Sequence, residues 1–261
     1  MTVSQFKSKF KQALSAGYPS EEVESFFFRL GEAFLGMKRI DLTLYKEKEL
    51  SAEQLNLFED ALARLQKNEP LQYILGETEF YGYPFKVNPS VLIPRPETEE
   101  LVEWIIKDCK QKHPENRPIK ILDIGTGSGC IAVTLAKELP FAQVVAIDVS
   151  EKALITAKQN ATLNKVSVDF VKQDVIKLEE FSEAFDIIVS NPPYVRELEK
   201  AEILANVLEN EPHQALFVKD NDPLLFYRKI SMLADKNLQP DGSLYFEINQ
   251  YLGEETSILL E

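Results

Sequence analysis

The sequence predicts an α/β protein, a doubly wound and mostly parallel sheet preceded by a small N-terminal helical bundle and a β-hairpin linker. Three observations carry this. From Ile119 onward, short apolar runs alternate with helix-length amphipathic segments, the pattern of parallel strands joined by crossovers. Before Pro70 the apolar residues recur every three or four positions, the period of helices. Between these regions, Glu77 to Val87 mixes aromatics with Gly82 and Pro84, the composition of a short hairpin. The expected division is a helical domain over 1–72, a hairpin linker and hinge over 73–93, and a sheet domain over 94–261.

In the first region Phe6, Phe10 and Leu14 make one apolar stripe. Gly17-Tyr18-Pro19-Ser20 ends that helix, and Val23, Phe26, Phe27, Leu30 and Phe34 mark a second. Ser51-Ala52-Glu53-Gln54 has the form of a capping box and opens a third, with Leu55, Phe58, Leu62 and Leu65 on one face. The phenylalanines of these helices are read as core. A further helix should begin at Pro96, where a proline ring is tolerated, and run through Leu101, Trp104 and Ile105. Strands are expected at 119–124, 143–147, 166–171, 185–189 and 243–248, with helices at 129–139, 150–163 and 224–234.

The bulk composition excludes several classes. A formal net charge of -13 lacks the basic field of a general nucleic-acid binder, so no stable nucleic-acid partner is expected. No apolar run is long enough to cross a membrane, and the first residues lack the apolar core of a secretion signal, so a cytoplasmic protein is expected. Cys109 and Cys130 are read as reduced thiols. The two histidines, His113 and His213, have no neighbours at metal-ligand spacing, so no metal is expected.

The most informative glycine motif is Asp123-Ile124-Gly125-Thr126-Gly127-Ser128-Gly129-Cys130, placed between a strand and a helix. Glycines there let backbone amides approach a ligand. A nicotinamide fingerprint needs a sixth-position glycine, where this chain has Cys130, and no Gly-Lys-Ser or Gly-Lys-Thr P-loop ending follows. Acidic residues stand at successive strand ends: Asp123, Asp148 and Asp174. In doubly wound sheets ligands bind at those ends. Asp148 suits the two hydroxyls of a ribose, Asp174 suits an adenine amino group, and Asp123 suits either loop support or a cationic amino group.

The glycine segment resembles the binding loop of class I S-adenosylmethionine-dependent methyltransferases. With Asn191-Pro192-Pro193-Tyr194 it resembles those that methylate a planar nitrogen. That group includes adenine-N6, guanine-N2 and protein-glutamine enzymes. Further segments narrow the resemblance: Gln72-Tyr73-Ile74-Leu75-Gly76, Phe80-Tyr81-Gly82, Ile93 through Glu99, Glu211 through Leu216, and Tyr227-Arg228. Together they are similar to the peptide chain release factor N5-glutamine methyltransferase family. The resemblance implies S-adenosylmethionine as cofactor, held by Asp123, Gly125, Thr126, Gly127, Gly129, Asp148, Asp174 and Asn191. It implies a release factor as protein substrate, gripped in part by the helical domain and methylated on the Gln of a Gly-Gly-Gln tripeptide. The alternatives within this reading are a ribosomal-protein glutamine methyltransferase and a nucleobase amino-group methyltransferase.

Asn191, Pro192, Pro193 and Tyr194 are the expected substrate contacts, with Asn191, Pro192 and Tyr194 the catalytic ones. The Asn191 side-chain oxygen can accept one N–H of an amide, and the Pro192 carbonyl the other. Tyr194 can pack its ring on the flat group. Arg95 is read as a salt-bridge partner and His213 as structural. The chain departs from the family at Phe217 to Pro223, where the family has a glycine-rich segment, and at Asn249, where it has Gly. The family's terminal strand pair has no counterpart before Glu261, so the sheet domain is expected to lack it.

Overall fold

The computed structural model describes residues 1–112 and 117–261; His113 lies outside them. The chain forms two compact units, Met1–Gly76 with Ala205–Asn210, and Glu77–Leu204 with Glu211–Glu261.

In the first unit the three striped segments become helices Val3–Leu14, Ser20–Leu35 and Ala52–Leu65. Thr2 and Ser51 cap two of them, each reciprocated by a glutamine three residues on, Gln5 and Gln54. The buried stripes meet in an aromatic core. The Phe58 ring lies 5.2 Å from Phe6, 5.9 Å from Phe27 and 5.3 Å from Phe34, centroid to centroid. Two further helices, Arg39–Leu44 and Leu71–Leu75, were not expected. Six and five residues are too few to display a helical period in sequence. Asn210 secures the late segment of this unit by donating from Nδ2 to the Asn68 carbonyl at 3.0 Å.

The second unit opens with the hairpin, strands β1 (Glu77–Phe80) and β2 (Tyr83–Lys86). Its two-residue turn places Tyr81 and Gly82 at φ 53° and 74°, the left-handed pair that matches strand twist. The hairpin, expected as a linker, is anchored to the helix Glu151–Asn164. Asn160 Oδ1 accepts from the Lys86 amide at 2.6 Å, and Asn164 Nδ2 donates to the Pro84 carbonyl at 2.9 Å.

The central strands are β3 (Ile119–Ile124), β4 (Ala142–Asp148), β5 (Asp169–Lys172) and β6 (Phe185–Ser190). A short parallel pair follows, β7 (Val195–Arg196) with β8 (Phe217–Val218), and then β9 (Leu238–Phe246). The main sheet runs β5-β4-β3-β6-β9, and every pairing in it is parallel, as the alternation of strands and helices predicts. Both faces are covered. Ile121, Val144 and Val189 pack with Val102, Ile105 and Ile131, while Leu122, Ile147 and Ile188 pack with Ile230 and Ala234. Such two-sided burial explains why neighbouring residues that point to opposite faces, Ile121-Leu122 in β3 and Ile187-Ile188-Val189 in β6, are all apolar.

Two strand boundaries differ from the sequence expectation. β5 spans Asp169–Lys172 rather than 166–171, because as an edge strand its extent follows its pairing with Val145 to Asp148. β9 spans Leu238–Phe246 rather than 243–248. It contains a register shift, with Phe185 opposite Leu238 but Ile187 opposite Ser243, which no alternation in the sequence announces.

Phe58 is 1 % exposed at the centre of the helical core. Phe58→Ala is expected to destabilise the protein by about 3–5 kcal/mol through the cavity it leaves. Denaturant unfolding followed by helical circular dichroism measures this, and a loss below about 1 kcal/mol contradicts the core assignment.

Candidate active site

The parallel pairing of β3 with β6 sets the site. It places Ile124 opposite Ser190, so the loops leaving these two strands emerge side by side. One loop begins at Gly125 and the other at Asn191. β4 lies on the opposite flank of β3 and brings Asp148 to the same end of the sheet. The order of successive strands thus reverses at β3, with β4 and β5 on one side and β6 and β9 on the other, which is where open α/β sheets form a crevice.

The glycine loop is held in a tight backbone form. Gly125, Gly127 and Gly129 have φ of 77°, 55° and 81°. At Gly129 an added Cβ would lie 3.0 Å from the Ala157 Cβ, so the residue also permits close packing of the loop on a helix. A Cβ at Gly125 would meet nothing within 4 Å, so the loop faces open space there. Gly125 and Thr126 donate their amides to the Ile147 carbonyl at 2.9 and 3.0 Å. Asn160, fully buried, donates to the Ser128 carbonyl at 2.8 Å and ties the same loop to the hairpin.

A cavity of about 420 Å³ opens between these loops. Of the residues singled out in the sequence, Gly125, Thr126, Gly127, Asp148, Asp174, Asn191, Pro192 and Pro193 line it. Asp123, Gly129 and Tyr194 do not. Ile147, Val149, Val175 and Phe226 add apolar walls that suit a flat ring.

The three aspartates occupy different settings. Asp148 accepts the Gly127 amide on Oδ2 at 2.9 Å and the Ser150 amide on Oδ1 at 2.8 Å. Burial raises its pKa, and these backbone donors oppose the rise. Each carboxylate oxygen retains a second lone pair for a ligand hydroxyl. Asp174 accepts the Ile176 amide at 3.0 Å and pairs with Lys177 at 3.4 Å. Asp123 is completely buried beneath the loop. Its Oδ2 accepts the Thr126 hydroxyl at 2.6 Å, and its Oδ1 has no partner. It supports the loop and does not reach the cavity.

Asn191 is oriented from behind. Its Nδ2 donates to Thr98 Oγ1 at 3.2 Å, and that hydroxyl donates to Glu247 Oε2 at 2.6 Å. Tyr194 donates its hydroxyl to Glu247 Oε1 at 2.9 Å. Burial, reinforced by the Glu247 charge, pushes the Tyr194 pKa up, which keeps the hydroxyl a donor. Asn249 holds the next link, donating from Nδ2 to the Tyr194 carbonyl at 2.9 Å. Thr98, Glu247 and Asn249 were missed as site residues in the sequence reading. Thr98 lies in the segment Ile93 through Glu99 that carries the resemblance and lines the cavity, but nothing local in the sequence marks its contact with Asn191.

Arg95 pairs with the buried Glu211 at 2.5 Å, the salt bridge expected of it, and it also lines the cavity, which was not expected. The His213 ring stacks edge-on to Phe217 at 5.2 Å. Cys130 also lines the cavity, and burial pushes its thiol up to about 12, so it is not a thiolate nucleophile near neutral pH. Both cysteines are buried and free. Among the described residues no cluster of His, Cys, Asp and Glu can hold a metal ion, and no helix is long and apolar enough to cross a membrane.

Burial, with a smaller contribution from the Asp148 charge, lifts Asp123 to about 7. A carboxyl whose folded pKa is raised destabilises the fold once it ionises, so its favourable contribution is full below about pH 4 and is lost as pH rises through about 7. Asp123→Asn keeps an acceptor for Thr126 and cannot ionise. Its melting temperature relative to the unmutated protein is therefore expected to rise between about pH 5 and about pH 8. A difference that stays flat across this range in differential scanning calorimetry contradicts a buried titrating Asp123.

Comparison with known proteins covers most of the chain. Residues 108–219 match the family described as Methyltransferase small domain, and residues 5–76 match the PrmC N-terminal domain. A release factor glutamine methyltransferase from Flavobacterium psychrophilum is 58% identical over 261 residues, all of this chain and 91% of that relative. One from Bacteroides thetaiotaomicron is 48% identical, over 96% of this chain and 88% of that relative. Among solved structures, the T. thermophilus 16S rRNA N2 methyltransferase RsmC, in complex with AdoMet and guanosine, shares the fold. It has a TM-score of 0.50 and 22% identity over 71% of this chain and 44% of that one. The chain belongs to the release factor glutamine methyltransferase family.

Proposed function

We infer that this chain is an S-adenosylmethionine-dependent protein-glutamine methyltransferase whose substrate is the side-chain amide of a release-factor glutamine. The observation that carries this reading is the whole-chain likeness to release factor glutamine methyltransferases, together with a cavity lined by both the glycine loop and Asn191-Pro192-Pro193. The target is proposed to be the Gln of a Gly-Gly-Gln tripeptide. The reading includes a cytoplasmic site of action and no stable grip on nucleic acid. It assigns 1–72 to protein recognition, 73–93 to the hairpin linker and 94–261 to methyl transfer.

The residues present fit the cofactor. Open space over Gly125 leaves room for close backbone approach, and Asp148 has lone pairs left for ribose hydroxyls. In this proposal Gly125, Thr126, Gly127, Asp148, Asp174 and Asn191 touch S-adenosylmethionine, while Asp123 and Gly129 shape the loop that does so. When bound, S-adenosylmethionine supplies a methyl group activated by a positive sulfur.

An amide nitrogen is a weak nucleophile, because its lone pair is delocalised into the carbonyl. The protein's task is therefore orientation more than proton removal. Asn191 commits Nδ2 to Thr98, which leaves Oδ1 to accept one substrate N–H. The Pro192 carbonyl accepts the second, and the two prolines keep that carbonyl in place with little ordering cost. Two acceptors fix the amide plane and draw electron density toward the nitrogen. Positioning of this kind can contribute up to about 7–11 kcal/mol in favourable intramolecular cases. Tyr194, held by Glu247 and Asn249, borders the turn and keeps its backbone in register. After transfer the nitrogen is strongly acidic and its proton passes to water, so no catalytic His or Cys is called upon.

The experiment that tests the reading is transfer of labelled methyl from S-adenosylmethionine to three acceptors in parallel: a release factor, its Gln-to-Ala version and duplex DNA. Label on the first alone is expected. Label on DNA, or undiminished label on the Gln-to-Ala protein, overturns it. Two substitutions separate binding from chemistry. Asp148→Ala is expected to weaken cofactor binding by about 1.5–3 kcal/mol in calorimetry, the range for a charge-assisted hydrogen bond. Asn191→Ala is expected to lose most single-turnover methylation at saturating cofactor and release factor, with cofactor affinity retained. An Asn191→Ala protein that transfers methyl at the unmutated rate contradicts the amide clamp.

A further inference from the structure

We propose that Thr98 and Glu247 are positioning residues that fix which way round the Asn191 side-chain amide points. This rests on the proposed glutamine reading and extends it to two residues outside the Asn-Pro-Pro-Tyr motif.

The argument is one of hydrogen-bond direction. An asparagine amide has an acceptor end and a donor end of nearly equal shape, so packing alone discriminates poorly between its two orientations. Only the orientation with Oδ1 toward the substrate accepts an amide N–H. The other presents N–H groups to N–H groups, and no hydrogen bond forms. Something must therefore pin Nδ2 on the far side. Thr98 by itself does not, because a hydroxyl both donates and accepts. Thr98 beside Asn191 alone would satisfy either orientation.

Glu247 removes the ambiguity. Its carboxylate, when ionised, only accepts. Thr98 donates its single hydroxyl proton to Glu247 Oε2 at 2.6 Å. That hydroxyl is then left only with lone pairs for Asn191, and Nδ2 is the group that can meet them, at 3.2 Å. The relay runs one way: Asn191 N–H to Thr98 O, Thr98 O–H to Glu247. Thr98 is 2 % exposed, so water does not readily substitute for either partner. Tyr194 donates to the other carboxylate oxygen at 2.9 Å, so Glu247 is held from both sides. The Glu247 amide donates to the Ser190 carbonyl at 3.1 Å, which ties the end of the relay to the strand that carries Asn191.

Three substitutions test this. Thr98→Val keeps the shape and removes the hydroxyl. Thr98→Ser keeps the hydroxyl and removes a methyl. Glu247→Gln keeps the shape but offers one oxygen and one NH2 in place of two oxygens. When its NH2 faces Thr98, the hydroxyl must donate to Asn191 Oδ1 and turns the amide over.

Two readouts are used. The first needs no turnover: side-chain amide exchange of Asn191 in ¹⁵N-asparagine-labelled protein, with the signal assigned by its loss in Asn191→Asp. The second is kcat and KM on a release factor. Thr98→Val is expected to speed exchange of the Asn191 amide by about tenfold or more, as a half-buried donor loses its acceptor. It is expected to lower kcat by about 10²-fold, the scale of a misplaced group, with KM and cofactor affinity near those of the unmutated enzyme. Thr98→Ser is expected to restore both, and Glu247→Gln to lower kcat and shift the Asn191 amide signals. Unchanged exchange and unchanged kcat in Thr98→Val overturn the relay. So does a loss that Thr98→Ser fails to rescue, since that marks a packing role. If Thr98→Val does not fold, Thr98→Ala takes its place: unperturbed Asn191 exchange and unchanged kcat in that variant overturn the proposal. If the unmutated enzyme leaves release factor unmethylated, the proposed function fails, while the exchange measurements still decide the relay.

Discussion

The parallel register of β3 against β6 is the constraint on which the rest of the site depends. Ile124 lies opposite Ser190, and the Ser190 hydroxyl donates to the Ile124 carbonyl at 2.7 Å. Both strands end at the same level, so the glycine loop and the Asn-Pro-Pro-Tyr turn start from adjacent points. A slip of one residue would exchange the faces of β6 and turn its buried apolar set the wrong way. Register is thus enforced by two cores, one on each face of the sheet, and the site inherits that enforcement. A buried sheet fixes its strand ends far better than a loop fixes itself.

The loops leaving the sheet are stiffened by different means. The glycine loop is held from the backbone: left-handed glycines, amides donated to the Ile147 carbonyl, and a floor made by Asp123 and Thr126. The Asn-Pro-Pro-Tyr turn has two residues without amide protons and cannot be held that way. It is held by side chains instead, through Thr98, Glu247 and Asn249. Asn160 couples the hairpin to the glycine loop by bridging Lys86 and Ser128. The hairpin lies far from the chemistry in sequence and still helps set the loop on which the cofactor is proposed to rest.

Charge is used sparingly in the pocket. Asp148 and Asp174 are the carboxylates that line it, and both already accept backbone amides. The overall charge of -13 therefore resides elsewhere, in the many acidic residues outside the pocket. Arg95, the cation that lines the cavity, is neutralised by the buried Glu211. The walls are otherwise apolar, which suits a reaction in which orientation, rather than a strong base, carries the work.

Much of this was legible in the sequence because it is written locally. Helical and strand periods, the capping box at Ser51 and the hairpin around Gly82 each lie within a few residues, and each followed from side-chain and backbone preferences. The glycine spacing and Asn191-Pro192-Pro193-Tyr194 were legible for the same reason. The helices Arg39–Leu44 and Leu71–Leu75 were not, since they are shorter than the period that would reveal them. Nor were the partners of Asn191. Thr98 and Glu247 stand 149 residues apart, and a threonine at a helix start or a glutamate after a strand has no local mark of such a pairing. Asp123 was legible as a site residue, but its burial beneath the loop was not. The sequence by itself determined the longer elements and the motifs proposed to carry the chemistry, because those depend on neighbours along the chain. Only the tertiary structure decided which way each polar group faces, because a hydrogen-bond partner is chosen by proximity in space.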